Sequence, residues 1–389
     1  MKKKVLFIIW SYSYGGGAER ILTNIVNNLD PSKYEIDILE YVYAGIKKEE
    51  INDNINLLNP IIDITDRSFI NRVNNYIKEK VVYRFPKLLR QKYIKKDYDV
   101  EIAFNYLIPT FLLNYNAKTI GWCHGAVTDL KENDKLKKLQ KKYYDKINKI
   151  VAISNKTFDS VIDVYPEYKN KVELIYNGFD KNNILNKIND YKAENIDILY
   201  CGRFDENKNP AKFIEIIKNI KKVKNDIMAG MLGIGKLEEN IKKMIDEYEL
   251  GDNVILYGYK DNPYPIINST KIMCLTSYSE GFPTVLMEGM ILGKPFISTE
   301  VAGTKEMSNS NKCGFVSNDN EMLCKYAIKL LEDKKLYDVM SRDSKKHAEN
   351  FTLINQIKKQ KFFNDNLRSQ SNFRCTQISK HQPFEGFRH

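Results

Sequence analysis

Ile272-Met273-Cys274-Leu275-Thr276, Ser279-Glu280-Gly281-Phe282-Pro283-Thr284-Val285-Leu286-Met287-Glu288 and Gly293-Lys294-Pro295 follow one another within a single stretch of the chain. They read as a buried strand, a loop at its carboxyl end, a helix and a stop. Pro283 suits the first helical position, because its φ is already helical and its missing amide would find no partner there. Gly293 and Pro295 end the helix, and a new strand is expected at 295–298. The same unit recurs on both sides. Short apolar runs at 5–10, 34–41, 100–104, 119–122, 150–153 and 172–175 alternate with helical periodicity, for example Ile21, Leu22, Ile25, Val26 and Leu29. Ser154 is placed to cap a helix. After the polar stretch 180–195 the pattern restarts. Strands are expected at 196–201, 226–232, 254–257 and 272–276, with helices opened by Asn209-Pro210 and spanning 236–248. Such alternation predicts parallel sheets covered on both faces. The fold class is therefore α/β, with two Rossmann-like domains across a cleft, 1–185 and 186–371, and a loose tail over 372–389.

The 389 residues suit two domains, and 43% hydrophobic with 29% charged residues describes a soluble globular chain. A net charge of +11 points to anionic partners such as nucleotides, nucleic acid or anionic lipid. The surplus is mostly Lys in an Ile- and Asn-rich sequence, which weakens that inference. Six scattered cysteines with no C-x-x-C pair read as small buried residues in a reducing compartment. Four histidines offer little to a zinc site. Lys2-Lys3-Lys4 and the apolar run after it imitate a signal peptide, but the run is short and glycines follow. No apolar run reaches the length of a membrane span, so a cytoplasmic protein is expected.

Glu280 falls at the carboxyl end of a strand, where doubly wound sheets place ligands. The amides of Thr284, Val285 and Leu286 would be unpaired donors at a positive helix terminus. Glu288 lies one turn beyond Thr284 among apolar neighbours and needs hydrogen-bond donors, which sugar hydroxyls could supply. An isolated pair of carboxylates at this spacing is more often a cap and a solvated side chain. Gly202-Arg203-Phe204 and Lys208 put two cations at another strand end, a plausible pyrophosphate clamp or merely surface charge. Gly15-Gly16-Gly17 forms a phosphate-type loop, although Arg20 stands where a dinucleotide fingerprint has its third glycine. His124 ends a strand-like run; a lone loop histidine is usually structural or exposed. Asp97-Tyr98-Asp99 precedes its strand and reads as a loop leading into the sheet. A basic stretch with interleaved apolar residues, from Lys78 to Lys96, is either a solvated helix face or a segment lying on an anionic membrane.

Together these residues resemble the GT4-type family of retaining glycosyltransferases with the GT-B fold, in particular enzymes of bacterial surface polysaccharides. The resemblance runs through the glycine loop, His124, Asn177-Gly178-Phe179-Asp180, Gly202-Arg203-Phe204 with Lys208, and Gly233-Ile234-Gly235. It continues through Gly258, Glu280 to Glu288, Gly293-Lys294-Pro295, and Gly303 with Glu306. It implies that Arg203 and Lys208 hold a donor diphosphate, with Gly202 and Gly233 beside them. Glu288 would bind the ribose, and the backbone near Tyr259 would meet the base. Glu280, Gly281 and the amides around Phe282, Pro283, Thr284 and Val285 would hold the donor sugar. His124 would reach that sugar from the opposite domain, and Gly16 and Gly17 would approach the diphosphate or the acceptor. The implied catalytic set is Glu280, His124, Arg203 and Lys208, acting electrostatically on the leaving nucleoside diphosphate. The implied reaction transfers a hexose or N-acetylhexosamine from a UDP-sugar to a glycan or lipid-linked acceptor, with the anomeric configuration kept. No metal or other cofactor and no nucleic acid is expected. Two other readings remain at this point: a UDP-sugar epimerase on the same fold, and a basic nucleic-acid-binding protein. The latter lacks a basic-aromatic recognition module.

Overall fold

The computed structural model describes residues 1–14, 16–46 and 51–359. Gly15 and the tail expected from 372 lie outside the described residues, as does the end of the second domain at 371. Two parallel sheets carry the chain. The first is seven-stranded, ordered Ile55–Leu57, Tyr34–Glu40, Lys3–Ile9, Val100–Ala103, Lys118–Cys123, Lys149–Ala152 and Val172–Leu174. The second is six-stranded, ordered Val254–Gly258, Ala229–Leu232, Ile196–Cys201, Thr270–Leu275, Phe296–Ser298 and Gly314–Val316. Every ladder is parallel, and in both sheets the first strand in sequence lies between the second and the fourth. The direction of winding therefore reverses beside Lys3–Ile9 in one sheet and beside Ile196–Cys201 in the other. At such reversals the crossover helices leave to opposite faces and open a crevice at the strands' carboxyl ends.

The strands are apolar because both faces are covered: Val5 to Ile8 and Ile198 to Leu199 are fully buried. One apolar cluster joins Phe7, Phe104, Trp122 and Ile153 of the first half to Leu199, Met273, Phe282 and Leu286 of the second. A second cluster fills the far face of the first sheet and a third that of the second. The last described helix, Leu353–Lys359, returns to the first half. The Phe179 amide donates to Phe351 O at 3.0 Å, the Leu353 amide donates to Phe179 O at 3.1 Å, and Gln356 Oε1 accepts from the Gly178 amide at 2.9 Å. A side chain on Gly178 would collide with Leu353, which explains the glycine.

Most expected strands fall within a few residues of those observed. The expected strand at 226–232 is shorter, Ala229–Leu232, because Asp226 and Ile227 belong to the turn that Asn253 ties down with bonds to Asn225 and Ile227. Ile55–Leu57, Gly314–Val316 and the separate pair Val42–Tyr43 with Ile62–Asp63 have no counterpart in the sequence reading. Two or three residues are too few to show periodicity, and sheet neighbours decide their conformation.

Candidate active site

The carboxyl ends of the two sheets enclose a cleft of about 630 Å³. The residues given a donor-binding or catalytic role from the sequence, from Gly16 and Gly17 through His124 to Glu280 and Glu288, line it; Leu286, whose amide was also expected there, does not.

On the second-half wall, Gly202-Arg203 and Lys208 follow the strand Ile196–Cys201, and Ser277 to Glu280 follow Thr270–Leu275. Lys208 Nζ donates to Glu280 Oε1 at 2.5 Å, and Ser277 Oγ donates to the same oxygen at 2.6 Å. Both bonds use one oxygen, so Oε2 keeps acceptor capacity for a hydroxyl. The sequence reading overlooked Asp205. Its carboxylate accepts from Arg203 Nε and from the Lys208 amide, each at 2.9 Å, and so aligns the two cations. Burial alone would raise the Asp205 carboxyl, but the Lys208 amide and the Arg203 guanidinium hold it below its ordinary value. Arg203 remains 62% exposed, a cation with room to close on an anion. Asn207 stitches the two loops together, donating to Ser279 O at 3.0 Å and accepting from the Tyr278 amide at 2.8 Å.

Two helix N-termini converge here from opposite halves. α1 (Gly17–Asn27) follows the first strand, and the helix Thr284–Ile291 follows the Glu280 loop. Neither has a side-chain cap, and a Cβ on Gly17 would sit only 3.8 Å from Thr284 Cγ2. Their first amides and aligned peptide dipoles make the space between them attractive to an anion. Pro283 stands at the cap rather than at the first helical position expected of it.

Glycines let the backbones approach. A Cβ on Gly281 would lie 1.8 Å from His124 O, so the loop and the opposite half touch without side chains. Gly233 has φ +145°, and a Cβ there would lie 1.9 Å from Gly202 O. His124 packs against Phe104, ring centroids 4.3 Å apart, and its Nε2 is buried without a hydrogen-bond partner among the described residues. Burial pushes its pKa down to about 3, so the ring is a neutral imidazole near neutrality. Tyr259 stands 53% exposed at the rim. Phe282 turns its ring away from the cleft mouth onto Tyr176 and Phe351, at 5.7 and 5.5 Å, and offers its backbone.

Glu288 shows what the sequence reading missed. Its carboxylate is 3% exposed, and Arg20 Nη1 reaches it from α1 at 2.9 Å. Burial raises the Glu288 carboxyl, and the guanidinium opposes that rise. The donors that the sequence left to sugar hydroxyls thus begin with a protein cation across the cleft. Arg20 had registered only as a misfit in the glycine loop, yet it lies one turn past Gly17, where a side chain points back along the loop. Asp97-Tyr98-Asp99 is structural: Asp99 accepts from the Lys4 amide at 2.8 Å, and Tyr98 donates to Asp37 at 2.6 Å.

Residues 15–183 match the family model described as Glycosyltransferase Family 4, and residues 180–347 match that of Glycosyl transferases group 1. A Campylobacter jejuni protein named N-acetylgalactosamine-N,N'-diacetylbacillosaminyl-diphospho-undecaprenol 4-alpha-N-acetylgalactosaminyltransferase is 27% identical, over 91% of this chain and 97% of its own. A second C. jejuni protein, an alpha-1,4-N-acetyl-D-galactosaminyltransferase named for a diphospho-undecaprenol-linked GalNAc acceptor, is 24% identical over 92% and 96%. Among solved structures, HepE of Anabaena in complex with UDP superposes with a TM-score of 0.70 at 15% identity, covering 92% of this chain and 98% of that one. Sucrose-phosphate synthase of Thermosynechococcus elongatus gives 0.72 at 16% identity, covering 93% and 98%. With both halves matched in order and the doubly wound sheets facing one cleft, the chain belongs to the GT4 glycosyltransferases of GT-B fold.

Proposed function

We propose that this glycosyltransferase moves a hexose or N-acetylhexosamine from a UDP-sugar to a glycan or lipid-linked acceptor, with retention of anomeric configuration, in the assembly of a surface polysaccharide. One observation carries the reading: Arg203, Lys208 and two uncapped helix N-termini line one cleft between the halves, with the Glu280 carboxylate held by Lys208. Such a cleft suits a diphosphate whose charge grows as the glycosidic bond breaks. Cations and amides fixed in place stabilise that charge without reorganising, and this is the main catalytic contribution. Glu280, bridged by Lys208 and Ser277, faces the sugar hydroxyls through its second oxygen. His124, neutral, offers a hydrogen bond without adding charge beside the sugar. Glu288 receives the ribose hydroxyls, sharing them with Arg20. With Arg203 and Lys208 supplying the positive charge, turnover needs no metal. The names of the two Campylobacter relatives support a lipid-linked acceptor, and the UDP in the HepE complex supports the donor base. A lipid-linked acceptor places the work at the cytoplasmic face of a membrane.

The test is a panel of nucleotide-sugars screened by thermal shift, followed by turnover with acceptor in the presence of EDTA and NMR of the product anomer. A UDP-hexose or UDP-N-acetylhexosamine should stabilise the protein and give an α-linked product. An absolute requirement for manganese, or a β-linked product, would overturn the reading.

A further inference from the structure

Three loops at the carboxyl edge of the first sheet run from the cleft onto a surface that donor binding leaves unused. Residues 10–14 follow the strand Lys3–Ile9, 104–107 follow Val100–Ala103, and 124–129 follow Lys118–Cys123, on neighbouring strands. Hydrogen bonds fix the first loop. Glu40 Oε2 accepts from the Tyr12 amide at 2.9 Å, from the Ser13 amide at 3.0 Å and from Ser13 Oγ at 2.9 Å. The Trp10 amide donates to Asn105 Oδ1 at 2.9 Å, and Trp10 O accepts from the Val42 amide at 2.8 Å. Tyr12 is buried, yet Trp10 stays 47% exposed and Tyr14 54%. Buried Tyr41 supports the Trp10 indole, ring centroids 5.2 Å apart. The second loop is held in a costly shape. Leu107 has φ 60°, a left-handed backbone that its side chain disfavours, and its amide is tied to Gln140 Oε1 at 2.6 Å. The third loop joins the two places. His124 and Thr128 line the cleft, and the next residue, Asp129, accepts from Tyr106 Oη at 2.9 Å. Strands about 4.8 Å apart put the Trp10 and His124 backbones about 10 Å from each other, with Asn105 between them.

One exposed aromatic residue needs no explanation; two on a fixed loop that leads into a cleft do. The charge of the surface narrows the ligand. In a chain of net charge +11, residues 10–14, 104–107 and 124–129 contain no lysine or arginine, and Asp129 is their only carboxylate. An anion finds no charged partner on these loops. A neutral sugar ring does find partners, because its C–H face can lie on an aromatic face while hydroxyls at its edge meet polar groups. Asn105 Nδ2 and the Trp10 indole N–H make no hydrogen bond among the described residues, and Asp129 keeps acceptor capacity beyond Tyr106. We infer that Trp10 and Tyr14 form a stacking platform for an uncharged pyranose of the acceptor, with Asn105 and Asp129 at its edge. The assignment rests on the proposed transfer to a glycan and sharpens it. The acceptor already carries a sugar when it reaches the cleft, so an earlier glycosyl transfer supplies it.

The chain has two tryptophans, and Trp122 is fully buried, so quenching of fluorescence by acrylamide reports on Trp10. With UDP present, the full chain is titrated with methyl α-galactoside, methyl α-glucoside and methyl N-acetyl-α-galactosaminide. Sorbitol, galacturonate and vesicles of phosphatidylcholine with phosphatidylglycerol serve as contrasts. At least one neutral glycoside should lower the quenching of Trp10 at least about twofold, whereas sorbitol, which has no ring face, and anionic galacturonate should not. The response should vanish in Trp10→Phe, and Tyr14→Ala should weaken glycoside binding at least about fivefold at unchanged melting temperature. Calorimetry should show the same UDP affinity in both variants and the wild type. No protection by any glycoside, equal protection by sorbitol, or protection by vesicles alone would overturn the inference. Failure of UDP to bind, with Trp10 still protected by a glycoside, would count against the donor and support the platform.

Discussion

The two walls of the cleft are built differently. The second-half wall is made of short contiguous motifs whose loops are bound to one another: Asp205 to Arg203 and Lys208, Asn207 to Ser279, Lys208 and Ser277 to Glu280. The first-half wall contributes groups from two separate elements, Gly16, Gly17 and Arg20 at the start of α1 and His124 after a strand, and Gly17, Arg20 and His124 each meet the other wall at one point, at Thr284, Glu288 and Gly281. The first half also carries the exposed pair Trp10 and Tyr14. Recognition of a common ligand can be concentrated in a few residues close in sequence. Joining that site to a particular acceptor falls to the other half, and its parts are spread along the chain.

If that contrast is right, damage to the second wall should cost most. Arg203→Ala and Glu280→Gln should each lower kcat by at least about a hundredfold, because both act on charge that develops in the transition state. Retained turnover in both variants would remove the assignment. Gly281→Ala attacks the contact between the walls. Its methyl would fall 1.8 Å from His124 O, so the two halves must separate there. Activity should drop more than about tenfold with a loss of about 1–3 kcal/mol of stability, read by kinetics and denaturant melts on one preparation.

Arg20→Met tests the thinner wall. With no guanidinium opposing burial, Glu288 takes up a proton more readily and loses acceptor strength for hydroxyls. Donor KM should rise about tenfold with little change in kcat, the pattern of lost uniform binding. An unchanged KM would make the pair structural only.

A pH series resolves His124. Its folded pKa is about 3, below the ordinary 6.5, so between those values the unfolded chain binds a proton that the folded chain refuses. Stability from this residue is therefore full above pH 6.5 and declines as the pH falls. The melting temperature of His124→Gln should gain on that of the wild type across this range, and parallel curves would show that the imidazole is not shielded. The smallest effect belongs to Lys236→Ala. It removes an ion pair with Glu206 whose partners are both about two-thirds exposed and screened by water, and the melting temperature should not move measurably.

Sequence and structure agree where local chemistry decides. The strand, loop and helix around Glu280 follow from an apolar run, a proline and a terminating glycine. Asn209 does cap its helix, accepting from the Lys212 amide from a left-handed backbone at φ 48°. What the sequence withheld depends on tertiary approach. Arg20 and Glu288 are 268 residues apart, and nothing local marks them as partners. Asp205 stands beside Glu206 in a polar loop, and nothing local singles it out. The orientation of the helix Phe69–Arg84 was hidden because its apolar residues do keep helical spacing. Periodicity reports that a face exists, and only the fold reports that Asn71, Asn75 and Lys78 point inward in its place.

The central claim is that the cleft binds a nucleoside diphosphate through the Arg203 and Lys208 cations. Calorimetric titration of UDP into the wild type and into the Arg203→Ala, Lys208→Ala double variant tests it directly. Saturable one-to-one binding that disappears in the folded double variant is the predicted result. Equal binding by both proteins, or none by the wild type, would contradict it.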